Sequence, residues 1–317
     1  MFRAVRPRTK DYGLRTSDRR GSFPSPASFA ALVFALACTA CPARPKTSSE
    51  ILPRRVVSLA PNLTEIVFAV GAGDRLIGVS DYSDYPEAAR SLPRVGGLEV
   101  SAERIASLSP DLVLATPEGN AKGPVLALEA VGVPVLIVPG SSLDEVLQGI
   151  RLVARRLGRA REGEGLARKL DSRRREVRAR GSGRPRPSSV LLIWPDPAQA
   201  AGGGTFLDDV LTEAGARNLL GERPGWPVLS PEWLASVPID VLVLPDSVET
   251  RSAYEHAFAS GPLSHGTVSR ARVIRIPESV LTRPGPRVFD ALETLERELA
   301  QPRETGNSER ETKREAR

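Results

Sequence analysis

Chemistry in this chain of 317 residues has to be done with few reactive groups. There are two histidines, His256 and His265, and two cysteines, Cys38 and Cys41. No cysteine follows Cys41, so neither a His-rich zinc or manganese site nor a Cys-based site can be assembled from the rest of the chain. Ser264-His265-Gly266 sets a hydroxyl beside an imidazole, but no G-x-S-x-G elbow precedes it. Gly202-Gly-Gly-Thr205 opens a helix and could touch an anion, yet it lacks the Lys-Ser/Thr ending of a phosphate loop and reads as a tight turn. These absences argue against an enzyme and leave recognition as the chemistry to look for.

Two features suit recognition. The chain has four tyrosines, and two of them, Tyr82 and Tyr85, sit in one loop just past the apolar run Arg75-Leu-Ile-Gly-Val-Ser80. An aromatic there is either a staple that holds the loop down or a wall of a ligand pocket, because pockets form beyond the strand ends of α/β folds. The second feature is a repeat. Ser101-Ala-Glu103-Arg-Ile-Ala-Ser-Leu-Ser-Pro-Asp111 aligns without a gap to Ser230-Pro-Glu232-Trp-Leu-Ala-Ser-Val-Pro-Ile-Asp240. In each copy a Ser N-cap opens a short helix, a glutamate occupies its first turn, and an Asp leads into an aliphatic strand. Glu103 and Glu232 either stabilise helix starts or present matching carboxylates to a two-fold partner.

The elements that must position these groups follow from the apolar periodicity. Strand and helix signals alternate from Val56 to Val138: Val56 to Ala60, a helix to Val70 that Asn62 and Glu65 are expected to cap, then Leu76 to Ser80, Ser101 to Ser107, Asp111 to Ala115, Gly123 to Val131 and Val133 to Val138. From Ser142, apolar residues at helical spacing run into a charged stretch ending near Arg180, read as one long helix or two end to end. Gly181-Ser-Gly-Arg-Pro-Arg-Pro187 breaks it. A second α/β series follows, with strands at Ser189 to Trp194, Val241 to Leu244 and Arg272 to Ile276 and helices at Phe206 to Ala214 and Arg287 to Ala300. The expected organisation is a signal region over 1–41, a tether over 42–53, an N-terminal lobe over 54–140, a linking helix over 141–184, a C-terminal lobe over 188–300 and a disordered tail over 301–317.

Composition agrees with a folded binder. Hydrophobic residues make up 41% of the chain, enough for two cores, and the net charge of +6 is spread along the sequence without an aromatic-interleaved basic stripe, so no nucleic-acid partner is expected. The run Ala27-Ser-Phe-Ala-Ala-Leu-Val-Phe-Ala-Leu-Ala-Cys-Thr-Ala-Cys41 follows arginines and is too short to span a membrane comfortably, as a secretory signal would be. Ala35-Leu36-Ala37-Cys38 resembles a bacterial lipobox, and Cys38-Thr39-Ala40-Cys41 matches less well. Lipidation at Cys38 or Cys41 is the expectation, with incidental cysteines in a cleaved signal as the alternative. The basic stretch Met1 to Arg20 is long for a signal, as a misplaced start codon would explain.

Four segments carry a family resemblance: Arg55-Val-Val-Ser-Leu-Ala-Pro-Asn-Leu-Thr-Glu65, Gly78-Val-Ser-Asp-Tyr-Ser-Asp-Tyr-Pro86, Glu103-Arg-Ile-Ala-Ser-Leu-Ser-Pro-Asp-Leu-Val113 and Gly119-Asn120. They resemble the periplasmic cobalamin-binding proteins of vitamin B12 ABC importers, within the wider group of siderophore, haem and cobalamin binders. The resemblance covers nearly all of residues 54 to 300. It implies a class III periplasmic binding protein: two α/β lobes, each with a largely parallel sheet, joined by one long backbone helix, with the ligand held between them and no catalysis.

The resemblance also implies roles. Tyr82 and Trp226 become ligand walls, Tyr85 a staple against Pro86, and Glu103 and Glu232 docking carboxylates for a dimeric permease with its ATPase. Leu98, Thr116 and Arg283 join the ligand-binding set. The chain departs from the cobalamin binders at Gly96-Gly97-Leu98-Glu99 and at Thr116, where two pocket tryptophans are missing, and Trp194 is a candidate to compensate. Cobalamin or another corrinoid is the expected ligand, with no cofactor. Haem or a ferric siderophore is the alternative, and a non-transport surface lipoprotein or a hydrolase is a second one.

Overall fold

The computed structural model describes residues 52–97, 101–117, 120 and 122–302. In the first lobe β1 (Val56–Ser58), α1 (Pro61–Ala69), β2 (Leu76–Val79), α2 (Ala102–Ser107), β3 (Leu112–Ala115), α3 (Lys122–Ala130) and β4 (Val135–Ile137) alternate. The strands form a parallel sheet in the order β2-β1-β3-β4. Parallel pairing needs a crossover between strands, and the intervening helices supply it.

Two helices follow, α4 (Leu143–Arg156) and α5 (Ala160–Gly181). They do not lie end to end. Gly158 takes a φ of +67° between them, a left-handed conformation that glycine adopts without penalty, and the chain folds back. Arg151 reaches Glu164 at 2.8 Å near the turn, and Asp144 meets Arg174 at 2.5 Å farther along, the pairing of an antiparallel hairpin. At the close approach Gly163 leaves no room for a side chain, since a Cβ there would stand 2.1 Å from the Cβ of Ala154. The long α5 joins the lobes, with α4 packed along it.

The second lobe comprises β5 (Ser188–Pro195), β6 (Ala198–Ala200), α6 (Phe206–Glu213), β7 (Arg217–Asn218), β8 (Val228–Leu229), α7 (Pro231–Ser236), β9 (Val241–Asp246), α8 (Val248–Ala259), β10 (Arg272–Pro277), α9 (Glu278–Leu281) and α10 (Val288–Ala300). Its sheet runs β10-β9-β5-β6-β8, with β7 beside β5. The β5, β7, β9 and β10 pairings are parallel, and β6 joins β5 and β8 antiparallel.

One apolar core crosses both lobes. It contains Leu63, Ile66 and Val67 of α1, Val146, Ile150 and Val153 of α4, Leu170 and Val177 of α5, Leu207, Val210 and Leu211 of α6, and Phe289, Leu292 and Leu295 of α10. Two smaller clusters fill the other faces of the two sheets. A close-packed core that runs across the lobe junction resists shear, so the lobes are held at a fixed spacing along that side. Charged pins add to it: Arg174 bonds Glu213 at 2.6 and 2.7 Å, and Arg173 bonds Glu293 at 2.6 and 2.7 Å.

The start of α1 differs from the expected capping box. Pro61 occupies the first helical position and Ala60 is the N-cap, with no side-chain cap. Proline at that position needs no N–H partner and has its φ preset, so the helix begins two residues earlier than a cap at Asn62 would have it. Asn62 and Glu65 are thereby released for other contacts. The Asn62 amide donates to the Pro284 carbonyl oxygen at 3.2 Å, and Glu65 is gripped by Arg287. Both partners belong to the second lobe. The tail beyond residue 302 and the tether up to residue 51 lie outside the described residues.

Candidate ligand cleft and rim

The carboxyl ends of β1 and β5 point toward one another across a cavity of about 900 Å³, the place where α/β folds put ligands. The first lobe contributes Leu59, Ala60, Pro61, Asn62, Tyr82, Gly97 and Thr116. The second contributes Ile193, Gln199, the start of α6 from Gly204 to Leu207, Gly225, Trp226, Glu278 and Thr282 to Pro284.

Tyr82 is carried on a loop fastened at both sides by hydroxyls. Buried Thr64 Oγ1 donates to Ser58 Oγ at 2.9 Å and lies 2.9 Å from Ser83 Oγ, which is itself 2.9 Å from Ser80 Oγ. Arg94 Nη1 donates to the carbonyls of Ser80 and Ser83 at 3.0 and 2.7 Å. With its flanks held, Tyr82 projects into the cleft, 55% exposed. Its ring lies on Gly97, where a Cβ would come within 3.1 Å of the ring edge. Thr116 lines the same side, its amide donating to Asn120 Oδ1 at 2.8 Å while Asn120 Nδ2 donates to the Leu59 carbonyl at 3.2 Å.

Opposite stands Trp226, 38% exposed, with Phe206 meeting it edge-on at a centroid distance of 6.3 Å. The Trp226 loop is held by backbone bonds to the glycine run: Gly202 N donates to Gly225 O at 2.8 Å, Gly203 N to Arg223 O at 2.8 Å, and Gly225 N to Gly203 O at 3.1 Å. Side chains are excluded there, since a Cβ on Gly202 or Gly203 would stand 2.0 or 1.9 Å from a carbonyl oxygen. The run is the tight turn read from the sequence, with two of its amides spent on the protein's own carbonyls.

Trp194 does not reach the cleft. Adjacent residues of a strand face opposite ways, and on β5 it is Ile193 that lines the cavity. The Trp194 indole N–H donates to the Asp196 carbonyl at 2.9 Å. Phe206, read only as the start of a helix, takes the aromatic place instead. Tyr85 has a partner in the second lobe, the Arg287 guanidinium, which lies 4.0 Å from its ring centroid. That is a cation–π contact between the lobes. Leu98, Gly119, Cys38 and Cys41 lie outside the described residues.

Arg283 borders the cleft and pairs across it. Its guanidinium is hydrogen-bonded to Asp84 and lies 3.6 Å from Glu65. Glu65, with its side chain 2% exposed, is held bidentately by Arg287 at 2.6 and 3.0 Å. Burial pushes the Asp84 carboxyl up, but the Arg283 hydrogen bond and charge outweigh it and leave it below the ordinary range.

Glu103 and Glu232 stand outside the cleft in equivalent settings. Ser101 caps α2 by accepting from Arg104 N at 3.1 Å, and Ser230 caps α7 by accepting from Trp233 N at 3.2 Å. Each glutamate is fully exposed and held below the usual carboxylate range, first by its own backbone N–H and then by its capping serine. The repeated aspartates match too. Asp111 accepts the Arg54 and Arg55 amides entering β1, both at 2.9 Å, and Asp240 accepts the Ser188 amide entering β5 at 2.8 Å.

The second-lobe histidine motif is a turn. Ser264 Oγ lies in hydrogen-bonding contact with the Gly261 carbonyl at 2.7 Å and with His265 Nδ1 at 2.9 Å. Among the described residues no group of three or more His, Cys, Asp or Glu is placed to hold a metal ion, and no helix is long and apolar enough to cross a membrane.

Two α/β lobes, a long connecting helix and a large cleft at the strand ends define a class III solute-binding protein. The chain belongs to the periplasmic binding protein family, which it matches over residues 56–278. It is a substrate-binding protein of the ABC transporter type, a solute binder by family rather than a class of enzyme. It is 28% identical over 250 residues to the ABC transporter substrate-binding lipoprotein YvrC of Bacillus subtilis (strain 168), covering 77% of this chain and 79% of YvrC. It is 30% identical to the vitamin B12-binding protein of Photorhabdus laumondii, covering 78% and 88% of the two chains. Among solved structures, the periplasmic haem-binding protein RhuT from Roseiflexus sp. RS-1 in apo form superposes with a TM-score of 0.70 at 31% identity, covering 78% of this chain and 99% of RhuT.

Proposed function

We propose that this chain is the substrate-binding lipoprotein of an ABC importer, capturing cobalamin or a related corrinoid between Tyr82 and Trp226 and delivering it to the permease. The observation that carries the ligand is the charge inventory of the cleft. At about 900 Å³ it is at the upper end of small-molecule sites. Its described lining has one cation, Arg283, already paired with Asp84, and one anion, Glu278. Such a cavity suits a large amphipathic ligand rich in neutral amides, with flat aromatics covering its faces. A ferric siderophore of high negative charge would need several unpaired cations.

Haem is the second reading, favoured by the likeness to RhuT and by the exposed Tyr82 phenol, a group able to ligate ferric iron. Calorimetric titration of the purified protein with cyanocobalamin, cobinamide, haem and a ferric hydroxamate decides between them. Binding of the corrinoids alone supports the first reading, and a haem complex with a phenolate-type absorption spectrum replaces it.

Delivery is assigned to Glu103 and Glu232. Their like settings at two helix starts suit a permease dimer, which needs one contact per half. The anchor is assigned to Cys38 or Cys41, with residues 42–53 as the tether. The YvrC likeness supports a lipoprotein. Serine at each cysteine, alone and together, tests it by palmitate labelling.

A further inference from the structure

We propose that Asp84 sets the charge class of ligand the cleft accepts, by withholding Arg283 from ligand carboxylates. This rests on the reading of the cleft as the ligand site and adds a selectivity residue to it. Four charged groups meet where the lobes touch beside the cavity: Glu65 and Asp84 from the first lobe, Arg283 and Arg287 from the second. Two cations and two anions cancel.

The roles within the cluster are not equivalent. Arg287 is committed, being bidentate on Glu65, bonded through Nη2 to the Ser279 carbonyl at 3.1 Å and stacked over Tyr85. Glu65 is correspondingly saturated, with Arg283 only at 3.6 Å. Asp84 is therefore the group that holds Arg283. Arg283 lines the cavity and Asp84 is not among the lining residues, so the acid holds the guanidinium from beside the cavity. A ligand carboxylate in the cavity must compete with Asp84 for the guanidinium, and Arg is the side chain best shaped to take a carboxylate bidentately. Glu278, the other charged residue lining the cavity, adds to the rejection of anions. Neutral ligands pay no such cost. The pair is in effect a plug on the one cation of the described lining.

Asp84→Asn keeps the shape and removes the charge. The probes are cyanocobalamin, protoporphyrin IX, which carries two carboxylates and no metal, and its dimethyl ester, which has the same ring without charge. Wild type, Asp84→Asn and the double variant Asp84→Asn/Arg283→Gln are titrated by fluorescence, with folding checked by circular dichroism. Asp84→Ser replaces the amide variant if the loop is disturbed. Expected is at least a tenfold gain for protoporphyrin IX in Asp84→Asn, absent for the dimethyl ester, shrinking with added salt and lost in the double variant. Cyanocobalamin affinity stays within about threefold. No gain for the dicarboxylate, an equal gain for the ester, or a gain that survives in the double variant overturns the proposal. Failure of wild type to bind cyanocobalamin overturns the corrinoid reading alone, because the porphyrin comparison is scored separately.

Discussion

Arg287 of the second lobe grips Glu65 of the first through two hydrogen bonds of 2.6 and 3.0 Å, although 222 residues separate them. The contact ties α1 to the residue that precedes α10. Glu65 is nearly inaccessible, so removing its partner leaves a charge buried with only Arg283 nearby. Arg287→Ala is expected to destabilise the fold by about 3 kcal/mol. Urea denaturation followed by far-UV circular dichroism measures it, and a change under about 0.5 kcal/mol would show that the pair is solvated and does not fasten the lobes.

The aromatic walls make a paired prediction. Tyr82→Ala, Trp226→Ala and Phe206→Ala should each weaken ligand binding by about 1–3 kcal/mol, the loss of one large apolar contact. Trp194→Ala should leave it within error, because that residue does not line the cavity and its indole N–H is bonded to the Asp196 carbonyl. Titration calorimetry on the four variants separates them, and a Trp194 effect as large as that of Trp226 would relocate the site.

Gly203→Ala tests how the Trp226 loop is held. A methyl there meets the Gly221 carbonyl oxygen at 1.9 Å, and backbone on both sides has no rotamer to change. The variant should lose about 1–3 kcal/mol of stability and shift the tryptophan emission as the loop is displaced. Unchanged emission together with unchanged ligand affinity would mean that the loop does not depend on this contact.

Charge reversal at Glu103 and Glu232 should separate docking from capture. Both lie on the rim, so Glu103→Lys and Glu232→Lys leave ligand affinity unchanged. Each weakens permease binding more than the alanine variant does, since it sets like charges against each other. Added salt mimics the alanine variants in part. Both affinities are measured on the same protein, and a weakened ligand with intact docking would place these glutamates in the site.

The acid response has a defined sign. The Glu293 carboxyl is held low by its hydrogen bond to Arg173, against a smaller effect of burial. Its contribution is full above the ordinary glutamate range and is lost as pH falls through and below that range. Asp209 runs the other way: burial is the largest influence and raises it, against the Leu143 amide bonded at 2.8 Å. Asp209 therefore favours the fold most at low pH, and that contribution is lost as pH rises through its raised value. Glu293→Gln should flatten the loss of stability below about pH 5, and Asp209→Asn should steepen it. Thermal melts between pH 3 and 7, taken as roughly the span of carboxylate titration, measure both slopes.

Much of the architecture was legible because its causes are local. Strand and helix alternate in the sequence with the periods that burial of one face requires. Ser101 and Ser230 each cap a helix of their own lobe whether or not the other lobe is present, since the capped amide lies three residues away. Tyr82 and Trp226 were found through family motifs, and the structure brings both to one cavity. Local pattern is ambiguous where a residue has two possible uses. Asn62 and Glu65 have the spacing of a capping box, yet Pro61 starts the helix without them. The charged segment past Ser142 has helical period throughout, and period alone cannot say that Gly158 turns the chain back on itself.

By itself, then, the sequence determined two α/β lobes, a helical link and a repeated rim, all set by interactions among residues close in the chain. Only the tertiary structure decided what faces the cleft and what closes it. Ile193 rather than Trp194 lines the cavity, the two side chains being neighbours on β5 where its register with β6 shifts between Leu192 and Trp194. Arg283 meets Asp84 across 199 positions, and Arg287 meets Glu65 across 222, because the packed core that runs through α1, α4, α5, α6 and α10 sets the lobe spacing. Charges that far apart in sequence carry no local signal of their pairing, and their energy exists only once the core has brought them together.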